Sequence, residues 1–309
     1  MKWIKKGLIF KPDAELPWRK KYALYPSPFY LPEQNCIRIF YGSVDAEFYG
    51  HTAYIDVDAD NPLAIKHEPK EFVLGPGING AFDDCGVTPS CAININGRAF
   101  LYYSGFFRAY KSPYHIFSGL AIQNKNGIYE RHGRVPVLDR TSGEYFYRAG
   151  QCVIEDSGIY KTWYTSGVKW DVIDSKMYSN KTMPVYNIRY ATSADGISWQ
   201  VEEKPSLAFD SEEEFGFGRP WVYKAEGTYH MWYTVNRKNS TEGLGYASSP
   251  DGINWQRQDH EVGIGTSESG WDSDMLCYPS VIKVKDKTFM FYNGNNRGET
   301  GFGLAELEL

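Results

Sequence analysis

Apolar and polar positions along the chain alternate with a period of two in short runs, and Gly, Pro, Asn and Asp cut the runs apart. Such alternation puts successive side chains on opposite faces of half-buried strands. The stretch Lys283-Val-Lys-Asp-Lys-Thr-Phe-Met-Phe-Tyr292 reads as strand, turn, strand, and the 3.6-residue period of an amphipathic helix is missing throughout. The pattern predicts an all-β chain.

Self-similarity then sets the architecture. An apolar strand ending in an aromatic residue, a Tyr and small polar residues occurs five times: Ile39-Phe-Tyr-Gly-Ser43, Leu101-Tyr-Tyr-Ser-Gly105, Thr162-Trp-Tyr-Thr-Ser166, Met231-Trp-Tyr-Thr234 and Met290-Phe-Tyr-Asn-Gly294. Upstream of each stands a second element: Tyr25-Pro-Ser-Pro28, Thr88-Pro-Ser-Cys91, Ala149-Gly-Gln-Cys152, Arg219-Pro-Trp-Val222 and Tyr278-Pro-Ser-Val281. The copies are roughly sixty residues apart, enough for one four-stranded blade each. The chain thus reads as a five-bladed β-propeller spanning residues 1–309 as a single domain. A pair of β-sandwiches or a six-bladed ring are the alternatives.

Outer strands are expected at residues 134–138 and 205–209, while the last blade lacks one. Trp3–Phe10 looks like an orphan outer strand; donated to the last blade, it closes the ring and covers a sheet edge. Two segments nearly repeat each other, Tyr190-Ala-Thr-Ser-Ala-Asp-Gly-Ile-Ser-Trp-Gln200 and Tyr246-Ala-Ser-Ser-Pro-Asp-Gly-Ile-Asn-Trp-Gln256. Their Asp-Gly pairs supply the positive φ of a two-residue hairpin, so Asp195 and Asp251 are read as structural.

Composition narrows the function. Aromatic residues make up 16% of the chain, with 24 Tyr, 9 Trp and 30 Gly, which suits short strands joined by tight turns. A formal net charge of -5 argues against a nucleic-acid or anionic-membrane surface, though not against a local basic pocket. No apolar run approaches a membrane-spanning length, and the one near Met1 is too short for a secretion signal. Five scattered cysteines (Cys36, Cys85, Cys91, Cys152, Cys277) read as free thiols, hence a cytoplasmic location. The six histidines show no ligand spacing and no Gly-rich phosphate loop is present, so neither metal nor cofactor is expected.

In a propeller, residues just before the inner strands and just after the second strands converge on one funnel. By that geometry Asp84, Glu144, Glu214 and Asp274 are the candidate catalytic acids, since glycosidic acid/base chemistry needs one protonated and one ionised carboxyl. Arg148, Arg219, Arg237 and Arg297 are candidate substrate-binding forks for carboxylate or phosphate, or internal partners of those acids. Asn293, Tyr25, Tyr278 and Trp170 complete the candidate lining, with aromatic faces for sugar rings. Residues 167–185 form a long connection, a candidate lid or subunit contact.

The Ser-x-Asp-Gly-Ile-x-Trp turns, the Tyr-His-Met-Trp-Tyr-Thr run at 229–234 and the repeat count resemble the five-bladed glycosidase superfamily. That group includes arabinanases, xylosidases, invertases, levanases and mannoside phosphorylases. The resemblance spans the whole chain and implies acids at the funnel, commonly two Asp and one Glu, which Asp84, Asp274 and Glu144 or Glu214 resemble in placement. The Asp-Pro and Asn-Asp-Pro-Asn-Gly signatures of arabinanase-type and invertase-type members are absent, as is an acid before Tyr25. The expected function is a glycoside-processing enzyme acting on a small, anionic or activated sugar; the alternatives are a non-catalytic sugar- or partner-binding propeller and a sugar-modifying enzyme of polysaccharide synthesis. The oligomeric state is left open.

Overall fold

The computed structural model describes residues 1–175 and 177–308. The chain is nearly all β, with only short helical turns, and among the described residues no helix is long and apolar enough to cross a membrane. The first strand, β1 (Trp3–Phe10), is set aside by the chain and pairs last. β2 (Lys21–Leu31), β3 (Cys36–Val44), β4 (Gly50–Asp58) and β5 (Ile65–His67) then pair in sequence, antiparallel. The same meander recurs as β6 (Gly86–Ile95), β7 (Arg98–Phe107), β8 (His115–Gln123) and β9 (Tyr129–Arg131). It recurs again as β10 (Tyr147–Asp156), β11 (Ile159–Ile173), β12 (Lys181–Ser193) and β13 (Gln200–Val201). A further copy is β14 (Glu214–Ala225), β15 (Thr228–Arg237), β16 (Gly243–Ser249) and β17 (Gln256–Arg257). The last comprises β18 (Cys277–Val284), β19 (Lys287–Asn293) and β20 (Phe302–Leu307), where β1 pairs antiparallel with β20, from Trp3 opposite Leu307 to Phe10 opposite Phe302. Each first strand of a copy packs against the first strand of the next, and β18 packs against β2.

The aromatic-Tyr pairs explain why the copies hold together. Every Tyr of the motif is buried, and its hydroxyl reaches a charged pair. Tyr103 donates to Asp83 (3.1 Å), which Arg131 also holds; Tyr164 donates to Glu144 (3.0 Å) beside Arg148; Tyr233 donates to Asp259 (2.6 Å) beside Arg257; Tyr292 donates to Asp272 (3.0 Å) beside Lys5. In the first copy the cation intervenes: Arg19 donates to Tyr41 (3.1 Å) and to Glu68 (2.7 Å). A buried phenol needs a partner, and a buried charge needs a counter-charge, so one cluster satisfies both.

Three expectations are corrected in detail. The Asp-Gly connections are longer than two-residue hairpins, because Thr192 pairs with Gln200 and Ser248 with Gln256. Only Gly196 and Gly252 take positive φ; Asp195 and Asp251 instead accept the next backbone N–H groups at 2.8 Å. The glycine carbonyls then accept from Tyr102 (2.6 Å) and Trp163 (2.8 Å) of earlier copies, which is why the motif recurs. The outer strands fall at β9 and β13, and residues 134–138 contribute only the isolated bridge of Leu138 to Ser118, since Pro136 cannot donate to a ladder. Residues 167–185 are an extension of the β11–β12 hairpin rather than a loop, paired from Lys169 opposite Val185 to Ile173 opposite Lys181; Lys176 lies outside the described residues.

Candidate active site

The first strand of each copy breaks register at a corresponding place: between Leu24 and Ser27, Pro89 and Cys91, Ala149 and Cys152, Gly218 and Trp221, and Cys277 and Ser280. A bulge there turns the extra residue out of the ladder. Tyr25 (φ 56), Gly150 (φ 67), Arg219 (φ 53) and Tyr278 (φ 54) occupy it in the left-handed region. For bulky residues that conformation is strained, and it persists because the freed N–H is caught by the side chain following each motif Tyr. Gly150 N donates to Ser104 (3.0 Å), Arg219 N to Thr165 (3.1 Å), Tyr278 N to Thr234 (2.8 Å) and Tyr25 N to Asn293 (2.9 Å). In the second copy Pro89 has no N–H to offer, and its counterpart Gly42 carries no side chain; a Cβ there would lie 2.8 Å from Thr88.

These bulges aim Tyr25, Arg219 and Tyr278 into a central cavity of about 710 Å³ with a smaller floor space of about 60 Å³. Its wall is tyrosine: the rings of Tyr25 and Tyr278 lie 4.2 Å apart between centroids, and Tyr147 stacks on Tyr186 at 5.7 Å. Tyr114 and Tyr178 add to it, the latter from the β11–β12 extension with its ring 5.0 Å from the Arg297 guanidinium.

One buried acid faces this space. Glu242, just before β16, is 5% exposed; its Oε1 accepts from Arg297 Nε at 2.7 Å and again from Nη2, and its Oε2 has no partner. Burial pushes the Glu242 carboxyl up, to about 8. Arg297 itself sits in a turn where both it and Asn296 take positive φ. The other carboxylate on the wall, Glu299, is paired with Lys21 at 3.3 Å.

The structure brings together four of the residues singled out from sequence: Tyr25, Tyr278, Arg219 and Arg297. It does not bring the four acids together, and none of them lines the cavity. Glu144 is buried between Tyr164, Arg148 and Arg189, and Glu214 is gripped by Arg257 at 2.6 and 2.8 Å and by Arg237 at 3.2 Å. Both belong to the Tyr–acid–cation clusters, as do Arg148 and Arg237. Asp84 is half-buried, accepting from Gly80 N at 2.9 Å on a separate surface hollow, and Asp274 is exposed. Asn293 spends all its hydrogen bonds on the backbone of Tyr25, Ala23 and Gly301. Trp170 packs on Phe146 and Tyr114 behind the wall. Glu242 lies between β15 and β16, at a place that the repeat pattern does not single out.

No family model matches this chain. The uncharacterized protein Rv1502 of Mycobacterium tuberculosis is 32% identical over 308 residues, covering 100% of both chains. Among solved structures, a glycosyl hydrolase from Bacteroides ovatus superposes with a TM-score of 0.73 at 14% identity, covering 100% of this chain and 93% of the other. A structure from work on the GH130 family of mannoside phosphorylases, which contains glycoside hydrolases targeting β-1,2 mannosidic linkages in Candida mannan, gives 0.70 at 14% identity, over 99% and 93%. At such identities the likeness is one of fold: the propeller of the glycoside hydrolases and mannoside phosphorylases.

Proposed function

The chain belongs to one family with the uncharacterized protein Rv1502 of M. tuberculosis, and we propose that it is a glycan-processing enzyme whose proton donor is Glu242. In this reading the five meanders are the blades of a single propeller over residues 1–309, closed by β1, and the tyrosine-walled cavity is its funnel. The observation that carries it is the one buried carboxyl on the cavity wall among the described residues, with one oxygen held by Arg297 and the other without a partner. A carboxyl pushed up to about 8 is protonated at neutral pH, the state needed to protonate a leaving glycosidic oxygen. The tyrosine rings offer flat apolar faces to a sugar, and their hydroxyls offer hydrogen bonds.

This scheme takes its acid from Glu242 rather than from the acids singled out in the sequence. In this reading a small molecule, either phosphate or a water that gives its proton to the ionised Glu299, attacks the anomeric carbon and inverts it, while the bond to the leaving oxygen breaks and Glu242 protonates that oxygen. The glycosyl hydrolase and phosphorylase folds of its neighbours support a glycan substrate without naming it.

The test uses aryl glycosides of graded leaving-group acidity, with and without phosphate. Glu242→Gln should slow turnover of poor leaving groups about 10²- to 10⁴-fold and of good ones much less, because a good leaving group needs no proton. The rate should fall above about pH 8 in the parent and lose that limb in the variant. An equal loss across all leaving groups, or none, removes Glu242 from the role.

A further inference from the structure

Arg219 is a buried cation with no anion beside it. At 4% exposure it lies on the funnel floor, with Nη1 donating to Pro89 O at 2.8 Å and Nη2 to Ser27 Oγ at 2.7 Å, both neutral acceptors. Its Nε is buried and unpartnered, and among the described residues no carboxylate lies within ion-pair distance. The other two deeply buried arginines, Arg19 and Arg148, each meet a carboxylate. Withdrawing a guanidinium from water without counter-charge is costly, and burial pushes this one down to about 10. The faces of Tyr25 and Trp221, at 5.3 and 5.6 Å, offset part of that cost.

The space beside it is polar and small. Thr88, Ser104 and Thr165 line the 60 Å³ floor with Arg219, and it meets the funnel at Tyr25 and Tyr278. A water takes about 30 Å³ of liquid volume, so the floor suits a group of a few heavy atoms rather than a sugar ring. Thr165 Oγ1 accepts from Arg219 N, which leaves its O–H to donate. Above it the funnel carries two more guanidinium groups, Arg297 and Arg108, the latter bonded only to the carbonyls of Glu47 and Phe48.

We propose that the funnel floor is an oxyanion subsite, in which Arg219 with the hydroxyls of Thr165 and Ser104 takes a carboxylate or phosphate group. The oxyanion is either a substituent of the bound sugar or free phosphate. This rests on the funnel being the glycan site, but not on the role of Glu242.

Thermal-shift titrations of the intact protein with sodium glucuronate, sodium phosphate and glucose, at constant ionic strength made up with chloride, test it. A saturable rise in Tm is expected with an oxyanion and not with glucose or chloride. Arg219→Met should weaken that binding at least about 10-fold; should this variant not fold, Thr165→Val should weaken it about 3-fold or more. A response to glucuronate alone assigns the oxyanion to the sugar, and one to phosphate alone assigns it to a separate small molecule. No saturable response to either, or one unchanged in both variants, overturns the subsite. The subsite is read by binding and the proton donor by leaving-group dependence of turnover, so either can fail while the other stands.

Discussion

Glu242 shows how burial converts an ordinary residue type into a functional one. Its ordinary value is 4.5 and the folded value is raised, so the native state holds more protons than the unfolded chain between those two values. The stability tied to this group is therefore fully present below about pH 4.5 and is lost as pH rises through about 8. Thermal melts from pH 5 to 9 should show that decline, and Glu242→Gln, which cannot ionise, should flatten it. A decline that survives in the variant belongs to other groups. Tyr25, Arg219 and Tyr278 teach the complementary point: three bulky residues held in left-handed backbone at one cavity mark strain where a ligand would use it.

At the scale of elements, the same kinds of residue do opposite work. Glu144, Asp83 and Asp272 stand before the first strand of a copy and Glu214 at the start of one, and each is neutralised by a neighbouring cation. They hold second strands to their surroundings. Arg257 is the most committed of the cations, serving Glu214 and Asp259 at once. Arg257→Leu should cost about 3 kcal/mol in urea unfolding, because it leaves Glu214, whose side chain is only 3% exposed, with Arg237 alone as counter-charge. A cost below about 1 kcal/mol would mean the cluster relaxes into water. Position alone did not distinguish these acids from Glu242; the partner did.

For the whole molecule, β1 is the element most distant in sequence from what it completes. Trp3 is 5% exposed and packs edge-on against Trp232 at 5.9 Å, so β1 joins the last meander to the one before it. Lys5, also on β1, supplies the cation for Asp272. Trp3→Ala should cost about 3–5 kcal/mol by the cavity it leaves, and chemical denaturation would read it directly. A loss near zero would show that the sheet is held without β1.

The all-β class, the repeat interval and the place of the second strands were legible in the chain, because strand alternation and turn chemistry are local and each copy restates them. The recurring elements upstream of the second strands were legible too, and their convergence on one face pointed to Tyr25, Arg219 and Tyr278. What the tertiary structure alone decided was which charges cancel. Arg148 and Arg237 meet acids, Arg219 meets none, and Glu242 keeps one oxygen unpaired. Those outcomes depend on contacts across copies and on exclusion of water, and a residue's neighbours in sequence carry no information about either.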